Sequence, residues 1–428
     1  MRKQELLAPI QSIMQESPDP GRFYTYSPGI CALPGGRIIG TMDMGGPGMK
    51  EMDGVVGFRP SLREYVQGRI FLSDDGGDSW RHVHDFPFLH ARPFYAGGKV
   101  YVMGQLDDLY IIVSEDQGET WSAPHRLTWQ ERWGGAPTNV YYHKGYIYFP
   151  FEKRRNLHLD KFVWDTANSS PMLLRGKVTD DLTKRENWTF SEEFYFCDHV
   201  DMEKTDYWGL PFYHEERFRM VKVNTVGNQN RSAAPVGWME SNVVRITDPD
   251  HIWFDPSGHT FHVFLRCASG RTNLGAMLKM TELPDGSIVP EMVKTPGGNN
   301  WLFLPLPGGQ MRFHMVQDDQ TGLYWLISTQ SQDSMIHPDK MPDNRYSLPD
   351  NERRCLQLHF SRNCVDWCFA GLIDRGATEL ESRSYASACI RGDDLLVLSR
   401  SGDHRAASAH NGNLITLHTV KNFRELAY

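Results

Sequence analysis

Seventeen histidines, seven cysteines and several close aspartate pairs are the residues of this chain that could support metal or nucleophilic chemistry. No His-Glu-x-x-His run and no paired histidine spacing occurs, so no catalytic metal and no cofactor is expected. Cys364 and Cys368 stand four apart with no second pair at ligand spacing, and read as small buried hydrophobes rather than zinc ligands. Asp107-Asp108, Asp248 with Asp250, and Asp318-Asp319 read as turn carboxylates before calcium ligands. His251, His314, His404 and His410, near expected strand ends, read as hydrogen-bonded packing residues. Arg132-Trp133 is of another kind, because a guanidinium beside an indole can both hydrogen-bond to a sugar and stack on it. Its competing reading is a loop anchor.

The elements that must position such residues are strands. Ile70–Trp80 reads IFLSDDGGDSW and Ile111–Trp121 reads IIVSEDQGETW. Each is an apolar strand followed by Ser-x-Asp-x-Gly-x-Ser/Thr-Trp, a turn whose Asp accepts backbone N–H bonds, whose Gly allows positive φ and whose Trp anchors the hairpin. Degenerate copies run from Thr179 to Trp188 and from His359 to Trp367. Six hairpins with the same pattern turn at Gly35-Gly36, Gly97-Gly98, Lys144-Gly145, Ser257-Gly258, Thr321-Gly322 and Gly392-Asp393. Each leads into a third strand and usually a fourth, in units that begin near residues 28, 90, 136, 238, 311 and 384. Four-stranded units repeated radially form a propeller. The expected fold is all-β, a six-bladed β-propeller of four-stranded antiparallel blades over residues 26–428, with residues 1–25 as an N-terminal extension. Helical periodicity is confined to Glu5–Gln15. A seventh blade would need a full sheet within the 195–236 insertion.

Aromatic residues make up 12% of the 428, a content that suits strands and turns. The formal net charge is −8 and no basic run exceeds Lys153-Arg154-Arg155, which argues against nucleic acid as a partner. No window reaches membrane-spanning length, and no apolar stretch follows Arg2 and Lys3 as in a signal peptide. An odd number of scattered cysteines suggests a reducing compartment. The expectation is a soluble cytoplasmic protein with no membrane partner.

The Ser-x-Asp-x-Gly-x-Thr-Trp turn is the Asp-box, or BNR repeat, and a six-unit chain that carries it resembles the sialidase (neuraminidase) superfamily. The box specifies fold well and function poorly. The resemblance implies three arginines clamping a substrate carboxylate, a Tyr nucleophile activated by a neighbouring Glu, and an Asp acid/base on a first-blade loop. Guanidinium forks suit a carboxylate, and a phenol needs a base in contact to attack. In GWMESNVVRI and HTFHVFLRCASGR, Glu240 and Arg266 match the family's glutamate and second arginine. In NERRCLQLHF, Arg353-Arg354 falls where the third belongs, with Arg354 preferred, and RSYASACIRG puts Tyr385 at the tyrosine's place. The first blade departs from the pattern. It reads Tyr26-Ser27-Pro28-Gly29 where the family has its first arginine, and Arg92 of HARPF is a candidate to restore it. Asp53, in the loop MGGPGMKEMDGVVGFRP, is the expected acid/base, with Asp43 and Glu51 as rivals.

The resemblance thus implies an exo-acting glycoside hydrolase that removes a terminal, acidic sugar from an oligosaccharide, with Tyr385, Glu240 and Asp53 catalytic. Arg266, Arg354, Arg92, Arg132 and Trp133 would bind substrate. The alternatives are a polysaccharide lyase or rhamnosidase of the same propeller type acting on uronate-containing glycans, and a non-catalytic glycan-binding propeller.

Overall fold

A computed structural model of the protein describes residues 5–155, 166–200, 221–222, 232–233, 237–268, 272–336, 340–342 and 345–428. Six antiparallel sheets form the blades of a propeller, each with its first strand innermost. Blade 1 runs through Tyr24–Ala32, Ile38–Gly45, Glu64–Ser73 and Arg81–Phe86, and blade 2 through Leu89–Ala96, Lys99–Leu106, Asp108–Ser114 and His125–Arg126. In blade 3 the inner position is shared by two short strands, Trp133–Gly134 and Tyr141–His143, which both pair with Tyr146–Arg154; Ser169–Lys177 and Trp188–Phe190 follow. Blade 4 comprises Trp238–Val244, Thr260–Cys267, Leu274–Glu282 and Ile288–Lys294. Blade 5 comprises His314–Gln317, Tyr324–Gln330, Cys355–Ser361 and Cys368–Arg375.

Blade 6 contains Arg383–Arg391, Asp394–Ser401 and Leu414–Val420, and its fourth strand comes from the other end of the chain. Ser12–Glu16 pairs antiparallel with Leu414–Leu417, so the segment expected as an extension closes the ring. The helix expected over Glu5–Gln15 does not form. Pro9 interrupts it, and the open sheet edge offers the backbone better partners: Leu7 and Ala8 donate to Leu372 and Ile373, and Gln11 donates to Leu417. Much of the 195–236 insertion lies outside the described residues.

Cores form between neighbouring blades. Phe94, Tyr101, Phe149, Leu174 and Trp188 pack blade 2 against blade 3, for example. The hairpin turns hold as their chemistry requires. Asp75 accepts from the amide and hydroxyl of Ser79 and from Ser73, and Asp116 does the same with Thr120 and Ser114. In the decayed copy Asn363 takes the place of Asp, its Oδ1 accepting from the amides of Val365 and Asp366. Cys364 and Cys368 pack in different core clusters, as hydrophobes would. No described helix is long and apolar enough to cross a membrane.

Candidate active site

The inner strands of blades 1, 2, 4 and 6 share one irregularity. In blade 4, Met239 pairs with Arg266 and Asn242 with Phe264, so two residues bulge out of register between them. The same two-residue bulge falls after Tyr26, Leu89 and Ser384 in the other three blades. The first bulged residue is left-handed each time: Ser27 (φ 39°), His90 (57°), Glu240 (58°) and Tyr385 (53°). A non-glycine residue there costs of order 1–3 kcal/mol, a strain that clusters at functional sites.

The bulge frees backbone amides, and carboxylates of the preceding blade collect them. His90 N donates to both oxygens of Asp43 at 3.0 and 2.9 Å. Ser241 N donates to Glu152 Oε1 at 3.1 Å, and Glu240 N donates to the same oxygen. Asp43, Glu152, Arg266 and Arg400 all occupy the position across from the residue before the bulge, or its counterpart in blade 3. Four blades thus present one ring of chemistry at one level of the funnel.

At this level lies a cavity of about 600 Å³ lined by Tyr26, Asp43, Glu240, Tyr385, Arg400 and His410, among others. Arg266 Nη1 donates to Tyr385 Oη at 2.8 Å and lies 3.2 Å from Glu240 Oε2, while its Nε donates to the Gln310 carbonyl. Burial works to lower the pKa of Arg266, but Tyr385 and Glu240 hold it above its ordinary value. The guanidinium of Arg353 lies 5.1 Å from the centre of the Tyr385 ring, and that of Arg400 lies 5.3 Å from it. Arg400 also stacks on Tyr26 at 4.2 Å.

Sequence reasoning is corrected at several of these positions. Arg353, not Arg354, faces the tyrosine, because Arg354 turns away to the carbonyls of Gly376 and Ala377 and to Glu379. Asp53 is exposed outside the cavity lining, with its carbonyl held by Gln67, and Glu51 pairs with Arg22 at the surface. Asp43 lines the cavity instead, and burial lifts its pKa to about 7 against the pull of the His90 amide and Arg92. Trp133 is fully buried among core aromatics, its indole N–H donating to Glu131, whereas its neighbour Arg132 does line the cavity.

Arg92 is no clamp residue. Its guanidinium donates to the carbonyls of Pro137, Ser27 and Ala91. Arg312, which the sequence did not single out, donates likewise to Ala136, Pro137, Tyr385 and Ala386. Neither lines the cavity; they stand behind Ser27, Ala136 and Tyr385, which do, and tie blades 1, 3 and 6 together. A second cavity of about 970 Å³, lined by Ile30–Leu33, Phe94–Gly97 and Cys389–Gly392, opens at the opposite ends of the inner strands. Arg400 and Glu152 were also missed. Burial and Glu240 raise the pKa of Glu152 to about 8, and burial beside Arg353 lowers that of Arg400 to about 10. Burial and the surrounding arginines push His90 and His410 well below the usual histidine range, so both are neutral.

No family model matches the chain, and no curated protein matches it. Solved structures do. An α-L-arabinanase of Penicillium chrysogenum, complexed with arabinobiose, aligns over 97% of this chain and 98% of its own at 10% identity and a TM-score of 0.51. A GH93 α-L-arabinofuranosidase of Fusarium graminearum aligns over the same shares at 10% identity and 0.50. A Hadza microbial sialidase aligns over 96% of this chain and 68% of its own at 13% identity and 0.51. The likeness shows the fold, a sialidase-like six-bladed propeller.

Proposed function

We propose that the protein is an exo-acting glycoside hydrolase that removes a terminal acidic sugar. One observation carries the reading: the buried Tyr385 hydroxyl, bonded by Arg266, shares a cavity with the Asp43 carboxyl, whose pKa of about 7 keeps a proton available. Arabinanases and sialidases share the fold, which supports a glycan as the substrate.

In this reading a carboxylate on the terminal sugar is drawn to the arginines around Tyr385, since planar forks bind carboxylates through two oxygens. The bond from Tyr385 Oη to the anomeric carbon forms as the bond to the departing oxygen breaks, and Asp43 gives that oxygen its proton. Arg266 steadies negative charge developing on Oη, and Glu240, on the same Arg266 nitrogen, takes the phenolic proton. Water then displaces the tyrosine, its proton passing to Asp43 while the proton on Glu240 returns to Tyr385 Oη, and the configuration is retained.

Glu240 favours a second reading. With Asp43 it makes a pair of carboxyls lining one cavity, the pair that hydrolyses a neutral glycoside without a tyrosine. A panel of aryl glycosides and acidic oligosaccharides, with products weighed by mass spectrometry, tests both. Addition of water to an acidic terminal sugar supports the first reading, and turnover of neutral arabinosides or galactosides supports the second. An unsaturated uronate would mark a lyase, and saturable binding without turnover would mark a binding protein; either defeats both readings.

A further inference from the structure

The arginines near Tyr385 come from blades 4 to 6, yet most of the positive charge lining the cavity lies on the other side. Lys50, Arg59, Arg63, Arg132 and Arg154, contributed by blades 1 to 3 and their loops, line the cavity together with Arg400. Among the described residues only three carboxylates share that lining, Asp43, Glu64 and Glu240, and Asp43 is largely protonated below its pKa of about 7. This basic concavity sits in a protein of net charge −8, so its sign is set locally against the sign of the whole.

Trp133 pairs with Lys153 and Gly134 with Glu152, which sets Arg132 across from Arg154 on neighbouring strands; Arg154 N donates to the Arg132 carbonyl at 2.7 Å. The chain makes room for them. A Cβ on Gly134 would come within 2.8 Å of Arg154 Nε, and one on Gly135 (φ 78°) within 1.5 Å of Glu152 Oε2. Arg59 crosses the same wall, held by Asp107 at 3.2 Å, and Arg63 projects from the Pro60–Arg63 turn in a left-handed conformation (φ 53°).

Asp43 belongs to blade 1 and, on the hydrolase reading on which this inference rests, protonates the departing oxygen. The leaving group therefore lies on the blade 1 to 3 side. We infer that this wall is a leaving-group subsite for an anionic residue, so that the substrate is a glycan bearing negative charge on both sides of the cleaved bond. Uronate–uronate and uronate–sulfated-sugar linkages share this chemistry.

The test uses Tyr385→Phe protein, so that binding is read apart from turnover, with disaccharide pairs as probes: digalacturonate and diglucuronate against their reducing-end methyl esters, and a sulfated against an unsulfated uronyl-hexosamine. Calorimetry at about 50 mM and about 500 mM NaCl should show the anionic member of a pair binding roughly tenfold tighter at low salt and near-equal affinities at high salt. Which pair shows the gap separates carboxylate from sulfate recognition. Arg63→Gln and Arg132→Gln should each shrink the gap severalfold, while Arg81→Gln, at an exposed ion pair with Glu119, should leave it unmoved. Equal affinities within every pair, a gap indifferent to Arg63 and Arg132, or binding of no probe would overturn the inference. A charge-dependent gap with no hydrolysis by the unsubstituted protein leaves the subsite standing and removes the hydrolase. Hydrolysis with no gap does the reverse.

Discussion

Arg266 reaches Tyr385 Oη with the same nitrogen that lies 3.2 Å from Glu240, so tyrosine and glutamate are joined through a cation. Removing the hydroxyl should leave the arginine paired with Glu240 and the cavity shape unchanged. Tyr385→Phe is expected to lose roughly 10³-fold or more in kcat with little change in substrate affinity. Steady-state kinetics beside calorimetric binding would check this. A proportionate loss of affinity would mean that Tyr385 is a binding residue.

Asp43 and Asp53 separate cleanly by experiment. Asp43→Asn should lose about 10²- to 10⁴-fold on substrates with poor leaving groups and far less on activated aryl glycosides, whereas Asp53→Asn should resemble the unaltered protein. The acid must carry its proton, so kcat/KM should fall as pH rises through about 7, and this limb should disappear in Asp43→Asn.

Glu152 gives a stability prediction with a definite sign. Its folded pKa of about 8 lies above the ordinary 4.5, so between those values the folded state keeps a proton that the unfolded state has lost. Stability therefore declines as pH rises through this window. Glu152→Gln, which keeps an acceptor for the Ser241 amide, should match the parent near pH 4.5 and melt about 2–4 °C higher above pH 8. Thermal melts across the range would show it, and a constant offset at all pH values would contradict the assignment.

Closure of the ring by Ser12–Glu16 predicts the effect of truncation. Deleting residues 1–16 exposes the edge at Leu414–Val420 and removes Met14 from its core cluster. Melting should fall by several degrees and aggregation should rise. Differential scanning calorimetry with light scattering measures both, and an unchanged transition would show that the strand is dispensable.

The architecture was legible because hairpin turns and alternating strands are local signals. The six units begin within a few residues of the observed inner strands. Helical spacing over Glu5–Gln15 misled because a strand edge more than 400 residues away competes for that backbone, and nothing local records it. Tyr385, Glu240 and Arg266 could be placed because they stand at strand positions shared by a resembled family. Asp43 could be named only as a rival to Asp53, and Glu152 and Arg400 not at all: the place of the two carboxylates depends on bulges that put non-glycine residues at positive φ and on amides donated from the next blade. Arg353 was confused with Arg354 because both precede the strand Cys355–Ser361, where no strand alternation fixes which side chain turns inward.

The crossed guanidiniums of Arg92 and Arg312 also bear on kinetics. Their bonds to the carbonyls of Pro137, Ser27, Ala136 and Tyr385 brace the wall behind the cavity, so on the hydrolase reading both products leave by the mouth through which the substrate enters. On the hydrolase reading, the departing residue stands between the trapped terminal sugar and solvent, so it must leave first. The free terminal sugar leaves second, from a pocket that the next substrate needs. Product inhibition by that monosaccharide is then competitive, and its escape from the arginines, rather than bond cleavage, sets the ceiling on turnover once chemistry is fast.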